Sequence, residues 1–317
     1  MKFLDEFKDY FVEKYSNFPV SRYISILLVR ETLSETIFRT EGSGAGVSKE
    51  FIKLVPNEEV VQRVVITKRK QVAVERRTGR ELLRSHGLLH AAEKDEECAL
   101  NRNNPCEKCI DCMLYGYAVG GGGAQRSRVM THDAYSLLPA ADVTAKRTFN
   151  ALFDNGTMRD PVTNKASTSI GETEYVKPGT HFIDLETLKD VTAEEFVYVL
   201  GNILRSKRYG AISSKIGRIE NHILALVFSD CELASNLEIL NETLKKLGNF
   251  DELPPDTEKV KTATVQAFEE IAGRVAGRVE VVRGEKLIQI IENVRGIYRE
   301  PAKVRELLAG AESKYPD

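Results

Sequence analysis

The sequence contains no apolar run that approaches the roughly 18 residues needed to cross a membrane. It also lacks any tract dominated by proline, glycine and serine, and its beginning, MKFLDEFKDYFVEKYSNFP, has no apolar stretch of the signal-peptide kind. These absences predict a folded cytoplasmic protein with no membrane partner. With 317 residues, of which 42% are hydrophobic, the chain can bury a substantial core in two domains or in one domain with large insertions.

A strong overall charge is also lacking, since the formal net charge is −2. The basic residues are nevertheless concentrated in the first two thirds of the chain. Residues 63–84, RVVITKRKQVAVERRTGRELLR, hold eight Lys/Arg against two Glu, and residues 205–218, RSKRYGAISSKIGR, hold five Lys/Arg and no acid. Local basic segments of this kind favour a nucleic-acid partner.

Cysteine is scarce, yet four of the five cysteines fall in residues 98–112, CALNRNNPCEKCIDC. In a reducing compartment such a cluster indicates metal ligands rather than disulfides. Three thiolates at C-x2-C spacing, with a fourth upstream across a gap of seven residues, suit a structural Zn²⁺ ion. Because consecutive C-x2-C steps crowd the backbone, a nearby histidine is a possible substitute ligand. The expected ligands are Cys98, Cys106, Cys109 and Cys112, with His86 or His90 as that substitute.

Two alternatives to zinc stay open. An iron–sulfur cluster is one, although Gly116 stands where a bacterial ferredoxin run would place its fourth cysteine. Unliganded thiols are the other. The fifth cysteine, Cys231, is interpreted as a small buried residue.

Hydrophobic patterning predicts both strands and helices. We expect an amphipathic helix over residues 1–16, a central strand at 22–30, and a strand-like run over 58–75 that ends at a Thr78-Gly79 turn. The segment 146–182 reads as a protruding β-hairpin, because Asn155-Gly156 and Thr163-Asn164 are hairpin-turn signals. Residues 193–205 are predicted helical, 219–228 a buried strand, and the region after residue 231 mainly helical, with an apolar stripe that packs inside the protein.

Two glycine-containing stretches carry cations. In GYAVGGGGAQRSRV, which is not a Walker loop, glycines lead directly to Arg126 and Arg128, and two arginines one residue apart share a face of a strand. The second stretch is YGAISSKIGR, residues 209–218, in which small residues, hydroxyls and cations follow Tyr209. The ring of Tyr209 can stack on a base. Both suit close approach to the phosphates of a single-stranded nucleic acid, and we expect these segments to form one continuous groove.

Several motifs, taken in order, resemble the RAMP superfamily of CRISPR effector backbone proteins. They are the strand RYISILLVR, the stretch LYGYAVGGGGAQRSRVMTHDAYSL, the hairpin ending ETEYVKPGTHF and the loop RYGAISSKIGR. The cysteine-bearing insertion and GAQRSRV are similar to the backbone subunit of the subtype I-D Cascade surveillance complex.

The resemblance implies an α+β protein with a modified ferredoxin-like or RRM-like core. Residues 1–77, 117–145 and 183–230 would form the core, 78–116 a zinc-binding insertion, 146–182 a thumb hairpin and 231–317 a helical region. Several copies would polymerise along single-stranded CRISPR RNA, next to the target strand and other Cascade subunits. The implied RNA-binding residues are Arg30, Lys68, Arg69, Lys70, Arg76, Arg77, Arg126, Arg128, Arg159, Lys207, Arg208, Tyr209, Ser213, Ser214, Lys215 and Arg218.

RNA-cutting relatives in subtype III complexes place an aspartate in the loop after the first strand, but residues 31–50 contain none. We therefore expect a binder and not a nuclease. The alternatives are a metal-dependent endoribonuclease that uses Glu41 or Asp154, and a zinc or iron–sulfur RNA-modifying enzyme.

Overall fold

Up to residue 229 the described chain contains most of the strands, interspersed with helices, and the remainder is largely helical. The computed structural model describes residues 1–39, 46–54, 60–90, 96–100, 102, 104–120, 123–248, 250 and 252–316. The elements are a 3₁₀ helix (Lys2–Tyr10), β1 (Tyr23–Thr32), β2 (Lys49–Lys53), β3 (Val60–Ile66), α1 (Lys68–Ser85), α2 (Ile110–Tyr115), β4 (Tyr117–Ala118), β5 (Ala124–Gln125), β6 (Val129–Thr131), β7 (Ala134–Tyr135), α3 (Ala140–Val143), β8 (Thr144–Asn150), β9 (Ile170–Val176), β10 (His181–Lys189), α4 (Ala193–Arg205), β11 (Ile219–Ser229), α5 (Asn236–Leu247), α6 (Thr257–Ala272), β12 (Val279–Val282), α7 (Gly284–Tyr298) and α8 (Pro301–Glu312).

A five-stranded antiparallel sheet with the order β12-β11-β1-β10-β6 forms the centre of the molecule. The apolar strand β1 lies in its middle, where Leu27 is opposite Leu185 of β10 on one side and Ala225 of β11 on the other. All of its residues except Glu31 are buried, as expected for a strand that has neighbours on both edges and helices on both faces. Mixed helices and antiparallel sheets confirm the predicted α+β class.

Alternate residues of β1 face two separate cores, because successive side chains of a strand point to opposite faces. Ile24, Ile26 and Leu28 pack with α1, α4, α7 and α8 on one face. Leu27 and Val29 pack with α5 and α6 on the other. The apolar stripe of the C-terminal region is therefore buried against the sheet and against neighbouring helices.

The predicted turn at Thr78-Gly79 is wrong. The strand β3 ends at Ile66, and the helix α1 runs through residues 78 and 79, where the insertion was expected to begin. A Cβ atom at Gly79 would overlap the Tyr198 hydroxyl and the Asn202 amide of α4. Glycine at this position thus permits two helices to approach closely, and it does not mark a turn.

A long hairpin extends from the body over residues 144–176. Strands β8 and β9 pair antiparallel from Thr144↔Val176 to Asn150↔Ile170, as the turn signals predicted. Its base is held by a bridge between Thr36 and Val176 and by an ion pair of 2.7 Å between Arg147 and Glu35. Among the described residues, no helix is both long and apolar enough to cross a membrane.

Candidate metal centre and nucleic-acid interface

The four clustered cysteines come together in a buried group. Their sulfur atoms all lie within 4.8 Å of one another, and Cys98 Sγ is 3.5 Å from Cys112 Sγ and 4.0 Å from Cys109 Sγ. None of the four is more than 7% exposed. Four sulfur donors at these separations can bind one metal ion.

The local backbone brings the sulfurs together. The amide of Cys106 donates a hydrogen bond of 3.3 Å to Cys98 Sγ, and the amide of Cys109 donates one of 3.3 Å to Cys106 Sγ. Cys109 immediately precedes α2, so Cys112 lies on the first turn of that helix. Hydrogen bonds among the four thiols lower the pKa of Cys98 and Cys106 and raise the pKa of Cys109 and Cys112, so that without a metal ion the negative charge is held on the first two sulfurs.

Neither histidine is needed to complete the donor set. The side chain of His90 contacts the carboxylate of Glu312 on α8. Within the described residues, the group of possible metal ligands at this position consists of the four cysteines alone. The expectation that His86 or His90 replaces a cysteine is therefore not supported.

The helix α1 is attached to this cysteine lobe through a buried carboxylate. Asp111 accepts hydrogen bonds from Arg76 Nε at 2.8 Å and Arg80 Nη1 at 2.6 Å, and Arg80 Nη1 also lies 3.6 Å from Cys98 Sγ. Arg76 is mostly buried, with 19% of its side chain exposed. It connects α1 to the lobe, so its predicted role as an RNA contact does not agree with the structure.

Two further predicted RNA contacts lie in the core. Arg30 is fully buried, with Nε 2.7 Å from Asp184, Nη1 2.9 Å from Glu75 and Nη2 3.4 Å from Glu186. Lys68 also pairs with Asp184. Burial opposes ionisation of Asp184, but the cations of Lys68 and Arg30 outweigh it and hold its pKa well below the usual range. Predicting Arg30 and Lys68 as RNA contacts is wrong, because their charges are neutralised by buried carboxylates.

Arg128 and Tyr209 are buried as well. Arg128 is 8% exposed; its Nη1 donates to Glu195 at 2.9 Å and to the Asp190 carbonyl at 2.9 Å. Tyr209 is 1% exposed, and its hydroxyl lies inside the Arg30 network. Neither side chain can reach a nucleic acid in this conformation, so both expectations are corrected.

The remaining predicted contacts are partly or fully exposed. On α1 they are Arg69, Lys70 and Arg77, and on the hairpin Arg159, whose Nη1 donates to the Asn164 carbonyl at 3.0 Å. On the segment that joins α4 to β11, referred to below as the 207–218 loop, they are Lys207, Arg208, Ser213, Ser214, Lys215 and Arg218. Two of these side chains have partners within the loop region: Lys207 pairs with Glu220 at 2.8 Å, and Arg208 Nη1 donates to the Ser213 carbonyl at 3.1 Å.

A cleft of about 190 Å³ separates α1 from the 207–218 loop. One wall is formed by α1, the other by residues 209–211, and Phe38 and Arg39 lie beside them. Among the described residues that line the cleft, three are cations, namely Arg39, Lys70 and Arg77, and none is acidic. The two basic segments identified in the sequence therefore meet at one place.

Arg126 does not share this cleft. It lines a separate depression with Tyr15 and Lys189. Lys189 ends β10 next to Tyr23 of β1, whereas Arg218 hydrogen bonds to Leu33 just beyond the other end of β1. The ten-residue strand β1, roughly 30 Å long, lies between these two positions. Within the part of the chain that the structure describes, the cationic segments therefore do not form the expected single groove.

Sequence reasoning missed Arg39, which contributes to the cleft, and Asp111, which anchors the lobe. Arg39 is a single cation after the short apolar pair Ile37-Phe38, and Asp111 sits between two cysteines; neither pattern signals its role. Of the two possible nuclease carboxylates, Glu41 lies outside the described residues, and Asp154 is exposed in the hairpin.

The fold is shared with solved CRISPR proteins. The crystal structure of Csc2 from Thermofilum pendens matches with a TM-score of 0.64 at 18% identity, covering 98% of this chain and 94% of that one. A chain of a CRISPR RNA-guided surveillance complex matches with a TM-score of 0.50 at 8% identity, covering 83% of this chain and 89% of that chain. At these identities the likeness concerns the fold alone.

The particular family follows from the sequence. The chain belongs to the Csc2 Crispr family, which matches residues 10–308. No curated protein sequence matches it.

Proposed function

We propose that this protein is a non-catalytic RNA-binding backbone subunit of a CRISPR Cascade complex of subtype I-D. Family membership supports a CRISPR role. The observation that carries RNA binding is the cationic cleft between α1 and the 207–218 loop, which has no acid among its described lining residues, in a chain whose net charge is −2. Cations concentrated at one cleft of a slightly acidic protein favour a polyanionic ligand.

The connection of the central strands supports the proposed core. The order β11-β1-β10-β6, with α1 between β1 and β6 and α4 between β10 and β11, follows the β-α-β-β-α-β arrangement of ferredoxin-like folds. We assign β12 as an added edge strand, residues 86–116 with the end of α1 as a metal-bearing insertion, and residues 144–176 as the thumb.

In this proposal the exposed cations of α1 and of the 207–218 loop contact RNA phosphates, while Arg126 and Arg159 meet the RNA or the target strand elsewhere. Copies bind successive stretches of one guide strand in the cytoplasm, with each thumb hairpin reaching towards the neighbouring copy. Binding through phosphates is largely indifferent to base sequence, and it weakens steeply with salt.

The decisive experiment measures single-stranded RNA affinity over a range of salt concentrations. The variant Arg77→Ala/Lys215→Ala removes one cation that lines the cleft on α1 and one exposed cation of the 207–218 loop. The control Arg299→Ala/Lys303→Ala removes two exposed cations, one just after α7 and one on α8. We expect only the first variant to bind RNA more weakly. Its slope of log affinity against log salt concentration should be shallower by the contribution of about two phosphate contacts. Equal loss in both variants would argue against this interface.

The non-catalytic part of the proposal has its own measurement. Labelled RNA incubated with the protein and Mg²⁺ should stay intact. Periodic cuts that disappear on substitution of Glu41 or Asp154 would instead identify a nuclease.

For the cysteine centre we propose one structural Zn²⁺ per chain. The donor set is all sulfur, it is closed, and it leaves no position for a catalytic water, which is typical of structural zinc. Elemental analysis of the purified protein tests this, and a brown protein containing iron and acid-labile sulfide would favour the iron–sulfur alternative.

A further inference from the structure

We infer that the cleft between α1 and the 207–218 loop holds one nucleobase of the bound strand, with the adjoining phosphate at its cationic rim. This inference rests on the proposed RNA-binding function and adds the chemical group that the cleft accepts. It follows from the cleft's lining, its size, its charge and its rigidity.

The interior of the cleft is apolar enough for a base. Phe38 and Ile66 are buried core residues that line it, and Val74, Ala73 and Ala211 line it as well. A flat heteroaromatic ring presents apolar faces that such side chains contact favourably. A bare phosphate, which is strongly hydrated, gains nothing from this surface.

The size of the cleft limits its occupant. Its volume of about 190 Å³ lies below the roughly 300 Å³ at which pockets for drug-sized ligands begin. One base fits this range better than an entire nucleotide or a run of stacked bases. The ribose and phosphate of the same nucleotide must then remain outside, at the mouth.

The charges of the cleft suit that phosphate. Arg39, Lys70 and Arg77 line the cleft, and the part of its lining that the structure describes contains no acidic residue. Arg39 Nε is buried and has no hydrogen-bond partner within the described residues. Arginine offers forked donors that match phosphate oxygens, so an anion at this rim would accept hydrogen bonds from the guanidinium groups of Arg39 and Arg77.

The cleft is preformed because its walls are connected to each other and to the segment before Phe38. The amide of Ala211 donates a hydrogen bond of 2.8 Å to the Ile37 carbonyl. Gly210 has φ of 84°, and a Cβ there would lie 2.6 Å from the same carbonyl oxygen, so this close approach requires glycine. A rigid cleft loses little freedom when a base enters.

The test compares two RNA oligomers, one with all bases and one with the same backbone but abasic riboses. Wild-type protein should bind the complete oligomer about tenfold more tightly, which is the scale of one stacked base. Val74→Phe fills the cleft without changing charge and should lose this preference while keeping the salt dependence. Ile288→Phe, which places the same ring on exposed α7, should behave as wild type.

The outcomes separate the two proposals. If wild type binds both oligomers equally well, RNA binding stands and the base site is wrong; the base site is also wrong if Val74→Phe keeps the full preference. If wild type binds neither oligomer, the proposed function itself fails. Because Val74→Phe could unfold, 4-thiouridine RNA is also photo-crosslinked to wild type: crosslinks at Phe38 or Val74 are expected, and crosslinks only outside the cleft overturn the inference.

Discussion

The hydroxyl of Tyr209 donates a hydrogen bond of 3.0 Å to the carboxylate of Glu75. Glu75 lies on α1 and Tyr209 begins the opposite wall of the cleft, so this bond joins the two walls at their base. Arg30 Nη1 and Asn221 Nδ2 each donate to the same hydroxyl at 3.1 Å. Burial and the neighbouring Glu75 raise the pKa of Tyr209, which keeps the donor proton in place.

Replacing this hydroxyl should therefore weaken both the fold and the interface. Tyr209→Phe leaves buried polar partners unpaired, and we expect the free energy of unfolding to fall by about 1–3 kcal/mol, with weaker RNA binding. Urea unfolding and RNA titration measure the two effects. Ser214→Ala removes an exposed hydroxyl of the same loop and should change the unfolding free energy by less than about 0.5 kcal/mol. Equal stability of Tyr209→Phe and wild type would contradict this prediction.

Loss of one clustered cysteine should abolish metal binding. Cys109→Ser replaces a fully buried sulfur donor with a poor ligand, so metal content should fall from about one ion per chain to near zero, with a lower Tm. Cys231→Ser is the matched control, because Cys231 lies outside the cluster and is partly exposed. Elemental analysis and thermal unfolding check both variants, and full metal content in Cys109→Ser would exclude the four-sulfur site.

Two helical glycines should respond oppositely to alanine. Gly79→Ala places a methyl group against Tyr198 and Asn202 and should destabilise the protein by about 1–3 kcal/mol. Gly296→Ala, on α7, meets nothing within 4 Å and should stabilise it by about 0.5–1 kcal/mol through helix propensity. Chemical denaturation gives both values. The same sign for both substitutions would show that helix packing at residue 79 is not the constraint.

His181 should make stability depend on pH. Burial lowers its pKa below the ordinary value of 6.5, so below pH 6.5 the unfolded chain binds a proton that the folded protein does not. The free energy of unfolding should consequently decrease as pH falls through this range. The difference between wild type and His181→Gln, measured from pH 7.5 to 5, isolates this contribution, and parallel curves would exclude it.

The parts of the structure that the sequence predicted are those governed by local pattern. The mainly apolar segment RYISILLVR became the central strand β1, since a strand covered on both faces needs mostly apolar side chains. The four cysteines lie within 15 residues, so their convergence required only a turn and the start of α2. The turn signals at Asn155 and Asn164 similarly marked the long hairpin.

Cation burial could not be predicted in this way. Arg30 and Asp184 are separated by 154 residues, and their pairing depends on the register of β1 and β10. A basic residue in a sequence looks the same whether such a partner exists or not, which is why Arg30, Lys68 and Arg128 were predicted as RNA contacts. The first half of α1 was mistaken for a strand because β-branched residues continue past Ile66, and the packing of Gly79 on Tyr198 is a tertiary contact.

The 18-residue helix α1 contacts three different parts of the protein through different faces. Glu75 points to the core network, Arg76 and Arg80 to the cysteine lobe, and Arg77 to the cleft. One extra residue inserted near Gln71 would rotate everything after it by about 100°, which would misdirect all three sets together. A single substitution on this helix affects one set of contacts, whereas an insertion or deletion affects all three. In any natural variant we therefore expect insertions and deletions to fall in the surrounding loops.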